Sequence, residues 1–342
     1  MLQLKNNTPF KAAIALFPNE KGVDTLYVTI KATFTLGETS TVAEQQQPVR
    51  LADEYWGEPG HSALKYASDV HLAKPSTDVM VIGAAHAPEG KPVPSLDVSV
   101  QAGPRKKVIR VFGDRKWYRY ENDLRISPPA SFVTMPLVYD RAYGGVCEID
   151  GKMTFEPRNP VGRGFAGERD LAEMDRQPLP NLEDPAHLIT FPNDQPAPAC
   201  FGPVAPSWEP RKSFAGTYNE KWQKEQAPYL PEDFQSNYFN AAHPDLAGPG
   251  YLHGGEPVTI TNMSPDGAMR FTLPTCEFDV MVQIEDRTET PPMNLETVLI
   301  EPDEKRFSLL WRGFVECDKK PLKVSQITVD LKGEGAEGMV DE

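Results

Sequence analysis

From Leu26 to Leu36 the chain alternates without a break, with Leu26, Val28, Ile30, Ala32, Phe34 and Leu36 on one side and Tyr27, Thr29, Lys31, Thr33 and Thr35 on the other. A period of two in residues that favour strands predicts a strand with one face in a core and the other in water. Leu96, Val98, Val100 and Ala102 repeat the pattern, Gly103-Pro104 supplies a turn, and Val108 to Phe112 returns, which predicts a hairpin. A further turn at Gly113-Asp114 is expected to carry Trp117 to Tyr120 back along it. Towards the other end, Pro257 to Asn262 and Ala268 to Leu273 flank Ser264-Pro265-Asp266-Gly267, where Pro presets φ and Gly tolerates positive φ. Val280 to Ile284, Thr297 to Ile300, Phe307 to Arg312 and Leu322 to Leu331 follow at the spacing of a β-sandwich. Helical period is confined to two short stretches, Asp170 to Arg176 and Glu220 to Gln226.

Residues 156–250 hold 15 of the 34 prolines, a density that forbids a central sheet. The same stretch carries Phe165, Phe201, Trp208, Phe214, Tyr218, Trp222, Tyr229, Phe234, Tyr238 and Phe239, more aromatic surface than a solvated linker holds. It therefore reads as an ordered, irregular belt. The expected fold is mainly β, with antiparallel sandwich-like sheets, one large or two small, bridged by this proline-rich segment. Residues 1–145 form an N-terminal β-rich region, 146–250 the belt, 251–331 a C-terminal β-rich region and 332–342 a flexible acidic tail.

A chain of 342 residues buries roughly three quarters of its unfolded surface, so a stable core is assured. Its 49 acidic against 35 basic residues give a net charge of −14, which repels a phosphate backbone and argues against nucleic acid as a partner. The residues after Met1 show no signal-peptide pattern and no run reaches the length of a membrane span, so the expected location is the cytoplasm, with no membrane partner. Cys147, Cys200, Cys276 and Cys317 stand singly, which speaks for reduced, mostly buried thiols.

Catalytic patterns are sparse. His253-Gly254-Gly255 looks like an oxyanion-hole loop, but no G-x-S-x-G nucleophile elbow accompanies it. The six histidines, His61, His71, His86, His187, His243 and His253, include no H-E-x-x-H pair, and neither a P-loop nor a dinucleotide fingerprint occurs. No catalytic residue, cofactor or metal ligand is assigned, and the chain is not expected to be an enzyme.

Three stretches together resemble the bacterial family called domain of unknown function 2169. The first is Trp56-Gly57-Glu58-Pro59-Gly60, with Leu64 to Val70 and Lys74-Pro75-Ser76-Thr77-Asp78-Val79 leading into the apolar run to Ala87. The second comprises Arg141-Ala142-Tyr143-Gly144-Gly145, Pro157 to Gly162 and Leu179-Pro180-Asn181-Leu182-Glu183. The third runs from Phe201-Gly202-Pro203 through Trp208 to Phe239-Asn240-Ala241-Ala242-His243-Pro244-Asp245. The resemblance implies a type VI secretion adaptor or chaperone that pairs an effector bearing a PAAR-like domain with the VgrG-type spike protein.

Trp and Tyr bury large area at small entropic cost, so a partner groove in the belt is expected at Trp208, Tyr218, Trp222, Tyr229 and Tyr238. Trp56, Tyr66 and Lys74 of the first signature stretch form the second expected contact region. The alternative reading is a carbohydrate-active or metal-assisted hydrolase built on a β-sandwich from the dispersed histidines, carboxylates and aromatics.

Overall fold

The alternating segment becomes a twelve-residue strand, Asp24–Thr35, at the heart of the largest sheet. The computed structural model describes residues 3–37, 39–121, 123–317 and 321–332; the expected tail from 333 onward lies outside the described residues. Strands that build the three main sheets are, in chain order, β1 (Gln3–Asn6), β2 (Lys11–Pro18), β3 (Asp24–Thr35), β4 (Asp78–Val81), β5 (Ser95–Ala102), β6 (Arg105–Phe112), β7 (Leu182–Glu183), β8 (Pro257–Thr261), β9 (Met269–Thr272), β10 (Glu277–Ile284), β11 (Arg287–Glu289), β12 (Asn294–Glu301), β13 (Arg306–Glu316) and β14 (Val324–Lys332).

The central sheet has the order β2-β3-β13-β12-β4, the second β7-β6-β5-β8-β9, and the third β1-β14-β10-β11. The fold is mainly β, as the alternation predicts, and the sheets are antiparallel or mixed: β4 joins β12 in parallel and β1 joins β14 in parallel. Strands from both ends of the sequence are thus interleaved in one sheet.

One face of the central sheet packs on both other sheets. Phe307 of β13 stacks near Phe34 of β3 (ring centroids 5.4 Å apart) and meets Phe271 of β9 at 4.7 Å, while Trp311 meets Phe278 of β10 edge-on at 5.0 Å. These contacts tie the three sheets into one large core.

The opposite face corrects the expectation of a half-solvated strand. Thr29, Lys31 and Thr33 are as buried as the apolar side of β3, because residues 46–77 fold over them. Gln46 accepts the Thr33 N–H at 2.8 Å, and Asp69 takes the Lys31 ammonium at 2.5 Å. A bulge between Leu295 and Thr297 inserts Glu296 into β12 on this same face.

Both predicted hairpins form, β5–β6 and β8–β9, in unbroken register. Trp117 to Tyr120, however, pairs with Asp123–Ile126 instead of returning along β6. Trp117 is drawn away into a small second core with Tyr143, Met174, Leu179 and Ile189, and its N–H goes to Gln177 O. The predicted helix at Asp170 to Arg176 is a run of turns, with Asp170 Oδ1 capping the N–H groups of Ala172 and Glu173. The other forms as α1 (Glu220–Glu225), and the belt adds α2 (Pro244–Ala247). Cys147, Cys200 and Cys317 are buried and Cys276 is half-buried.

Candidate partner-binding site

The belt is fastened to the sheets through five consecutive residues, Lys74-Pro75-Ser76-Thr77-Asp78. The Lys74 ammonium reaches Asp78 at 2.7 Å and Thr297 at 2.9 Å, and its backbone N–H donates to Glu296 at 2.9 Å. Asp78 in turn accepts the Asn240 amide at 2.9 Å and the Ala241 N–H at 2.8 Å. Thr77 accepts the Leu252 N–H at 2.8 Å, and the Tyr251 hydroxyl bonds Lys74 O. One short turn thereby holds the edge of β12, the belt and the segment entering β8.

Behind it the charges are almost dry. Arg312 and Glu296 pair at 2.9 Å with neither side chain exposed. Burial pushes the Glu296 carboxyl up, and the Arg312 and Lys74 charges oppose that shift; burial pushes Lys31 down, against the pull of Asp69. Desolvation of this kind is compensated only where partners and hydrogen bonds are in place.

The expected contact residues separate into two groups. Trp208 is 4% exposed and sits edge-on to Tyr139 at 5.6 Å, and Lys74 is 3% exposed within the clamp. Both are internal packing groups, so neither offers a partner any surface; the sequence does not reveal this because Trp208 is covered by the distant Tyr139, and Lys74, beyond its local pairing with Asp78, by the distant Glu296 and Thr297. Tyr66 is half-buried, donating its hydroxyl to Glu301 at 2.6 Å beneath the Arg50 guanidinium. Tyr238 is half-buried in a cluster with Phe234 and Phe239. Trp56, Tyr218 and Tyr229 are exposed and Trp222 is half-buried.

Tyr218, Trp222 and Tyr229 come together as a shelf around α1. Asn219 caps the helix by accepting the Trp222 N–H at 3.0 Å, which turns the indole edge-on to Tyr218 at 4.7 Å. The indole N–H then donates to Tyr229 O at 2.8 Å, while the Tyr229 ring packs closely on Gly22 of the β2–β3 turn, where a Cβ would come 3.0 Å from it. Trp222 borders an open groove of about 500 Å³ whose far wall is Pro231 and Asp233. Trp56 stands apart, under the Lys65 ammonium at 4.6 Å.

A second and larger groove, about 810 Å³, opens between the clamp and the belt. Its walls are small or apolar, among them Pro75, Phe214, Ala247 and Pro249. Its floor includes Arg211 and Asn240. Arg211 is held by Val204 O at 2.6 Å and Tyr238 O at 2.9 Å. Asn240 donates its amide N–H groups to Ser76 O and Asp78, which leaves its buried Oδ1 without a hydrogen-bond partner among the described residues. Orphaned acceptors of this kind are rare and costly. This groove escapes sequence reasoning, since prolines and alanines 170 residues apart carry no common pattern.

Enzyme-like features resolve differently. In His253-Gly254-Gly255 the N–H groups of His253 and Gly254 are taken by Glu256, and that of Gly255 by Leu273 O. Among the described residues no three His, Cys, Asp or Glu side chains are grouped so as to hold a metal ion, and no helix is long and apolar enough to cross a membrane.

The profile of a family described as an uncharacterized protein conserved in bacteria, domain of unknown function 2169, matches residues 21–312. The chain belongs to that family. Neither a curated protein nor a solved structure is similar to it at a significant level. The matched span of domain of unknown function 2169 contains the clamp, both grooves and the aromatic shelf, and it leaves out β1, β2 and β14.

Proposed function

We infer that this protein is a type VI secretion adaptor that binds an effector through its PAAR-like region and brings it to the VgrG-type spike. The observation that carries the reading is the open groove between clamp and belt, whose walls are small or apolar. Such a concave, largely apolar site suits an extended partner segment with small apolar side chains. The Tyr218–Trp222–Tyr229 shelf on the same belt supplies rigid aromatic area of the sort that dominates protein interfaces. Clamping by Lys74 and Asp78 keeps both surfaces preorganised, which lowers the cost of binding. The resemblance of the three signature stretches to secretion adaptors selects the partner class.

Co-expression with a PAAR-domain effector and a VgrG-type protein, followed by affinity capture and mass analysis, tests this. The expected result is a stable complex with the effector that is lost on Ala247→Trp, which fills the groove, in protein whose melting is unchanged. A complex indifferent to groove and shelf substitutions, or none at all, would overturn the reading.

A further inference from the structure

The two edges of the central sheet are treated differently. Beside β4 the belt closes the edge, with the Val81 N–H donating to Phe201 O at 3.0 Å. β2 pairs on one side only, with β3, over eight residues in unbroken register. Thr33 and Thr35, further along β3, send their N–H groups away from β13, to Gln46 and to Thr41 O. Alternation then assigns Lys11, Ala13, Ala15 and Phe17 to hydrogen bonds with β3, and turns the backbone groups of Ala12, Ile14 and Leu16 outward. None of those outward groups has a partner among the described residues. The usual devices that blunt an edge are missing: β2 has no bulge, no charge between Ala12 and Phe17, and no proline before Pro18. Leu16 is 42% exposed, and on the opposite face of the sheet Phe314, paired with Tyr27, is 45% exposed.

We propose that β2 is a self-pairing strand, by which two copies of this chain join antiparallel about a two-fold axis at Ile14 and merge their central sheets. The sequence of β2 is complementary to itself in that register. Ala12 meets the partner's Leu16 and Ile14 meets the partner's Ile14, so every outward N–H and C=O of all three residues is used. Sliding one way by two residues calls on Pro18, which has no N–H; sliding the other leaves Leu16 opposite the partner's Phe10, beyond the strand. Side chains fit as well: Leu16 lies opposite the partner's small Ala12, and on the other face Ala13 lies opposite the partner's Ala15, so between Ala12 and Leu16 no two bulky residues meet except Ile14 with its own copy at the axis. Lys11 arrives beside the partner's Phe17, at the turn that carries the partner's Glu20, which favours antiparallel pairing by charge. The net charge of −14 on each copy opposes association, but salt screens it beyond about 8 Å. Such an interface is small beside the roughly 2,000 Å² or more of a permanent dimer, so association should be reversible and concentration-dependent.

Sedimentation and light scattering on the full chain over a range of concentration and salt are the test. The expected mass rises from 38.0 kDa towards twice that value, more readily at higher salt. Leu16→Pro removes an outward N–H without touching the β3 ladder, so it deletes two hydrogen bonds per dimer and should weaken association about thirtyfold, with an unchanged circular dichroism spectrum. Should that variant fail to fold, Ile14→Cys gives an independent reading: oxidation should cross-link it across the axis, whereas Leu16→Cys, which faces the partner's Ala12, should not. A chain that stays at 38.0 kDa throughout, a dimer untouched by Leu16→Pro, or equal cross-linking of the two cysteine variants would each overturn the proposal.

Discussion

Arg312 and Glu296 meet at 2.9 Å where neither has any contact with solvent. Glu296 reaches that point because a bulge in β12 adds one residue, and Arg312 also bonds Asp69 O in the segment that covers the sheet. The pair therefore joins the sheet to its cover, and with Lys31–Asp69 it explains why a strand face that reads as solvated is closed.

Breaking this pair from one side should cost more than removing it. Glu296→Ala leaves a buried guanidinium without its counter-charge and should lower the unfolding free energy by about 3 to 5 kcal/mol. The double change Glu296→Leu with Arg312→Met should cost clearly less than the two single changes summed. Denaturant titration of the four proteins measures the coupling; additivity within error would mean that the two charges do not act as a pair.

Trp208 and Trp222 should behave in opposite ways. Trp208→Ala empties a packed site beside Tyr139 and should remove about 3 to 5 kcal/mol of stability. Trp222→Ala, at the groove edge, should change melting little yet cost about 2 kcal/mol of effector binding, roughly thirtyfold. Melting curves beside capture of a PAAR-domain effector separate the two, and a stable Trp208→Ala protein would contradict the packing described here.

Turn chemistry is what made the hairpins legible: Gly103-Pro104 and Ser264 to Gly267 specify local geometry in residues that are adjacent in sequence. The proline density of the middle segment likewise marked it as irregular, and its aromatics as ordered. What the sequence did not disclose depends on distant pairs. Lys31 reads as a solvent-facing residue until Asp69, 38 positions on, is placed beside it. Lys74 and Trp208 look like surface candidates for the same reason, and nothing local announces the parallel pairing of β1 with β14 or the bulge that aims Glu296. Of the candidate site, Tyr218, Trp222 and Tyr229 were readable only as belt aromatics, with nothing local to separate them from the buried Trp208, and the groove floor at Asn240 was not readable at all.

Acid should destabilise the fold before carboxylates titrate. His243 Nδ1 accepts the Asp245 N–H at 3.2 Å; burial first, and the Lys107 charge second, push its pKa down to about 4. A folded value below the unfolded ~6.5 means that protonation favours the unfolded chain. The contribution of His243 is therefore complete above pH 6.5 and is lost between about 6.5 and 4, at up to roughly 1.4 kcal/mol per pH unit. His71, pushed down chiefly by burial, acts in the same direction. Stability measured against pH should fall across this window, and His243→Asn, whose side-chain oxygen can take the same N–H, should make the slope shallower; an unchanged slope would show that His243 does not set it.

The glycines of the second signature stretch serve close backbone packing. Gly144, at φ 148°, and Gly162 lie against Asn159, where an added Cβ at Gly144 would come 2.1 Å from Asn159 O. Asn159 is fully buried and donates its amide to Tyr139 O at 2.8 Å and Tyr143 O at 3.0 Å, so it fixes the turn that carries Tyr143 into the small second core. Gly144→Ala should thus force the two backbones apart, at a cost of about 2 to 4 kcal/mol. Asn159→Ala strands two buried carbonyls and should cost about 2 kcal/mol or more, while Asn159→Asp fares no better, since a carboxylate cannot donate to them. Both losses should appear first in the residues around Trp117 and Tyr143, so hydrogen exchange there should rise ahead of the central sheet. Wild-type exchange at those amides in Gly144→Ala protein would show that the turn accommodates a side chain and that the glycine is not required by packing.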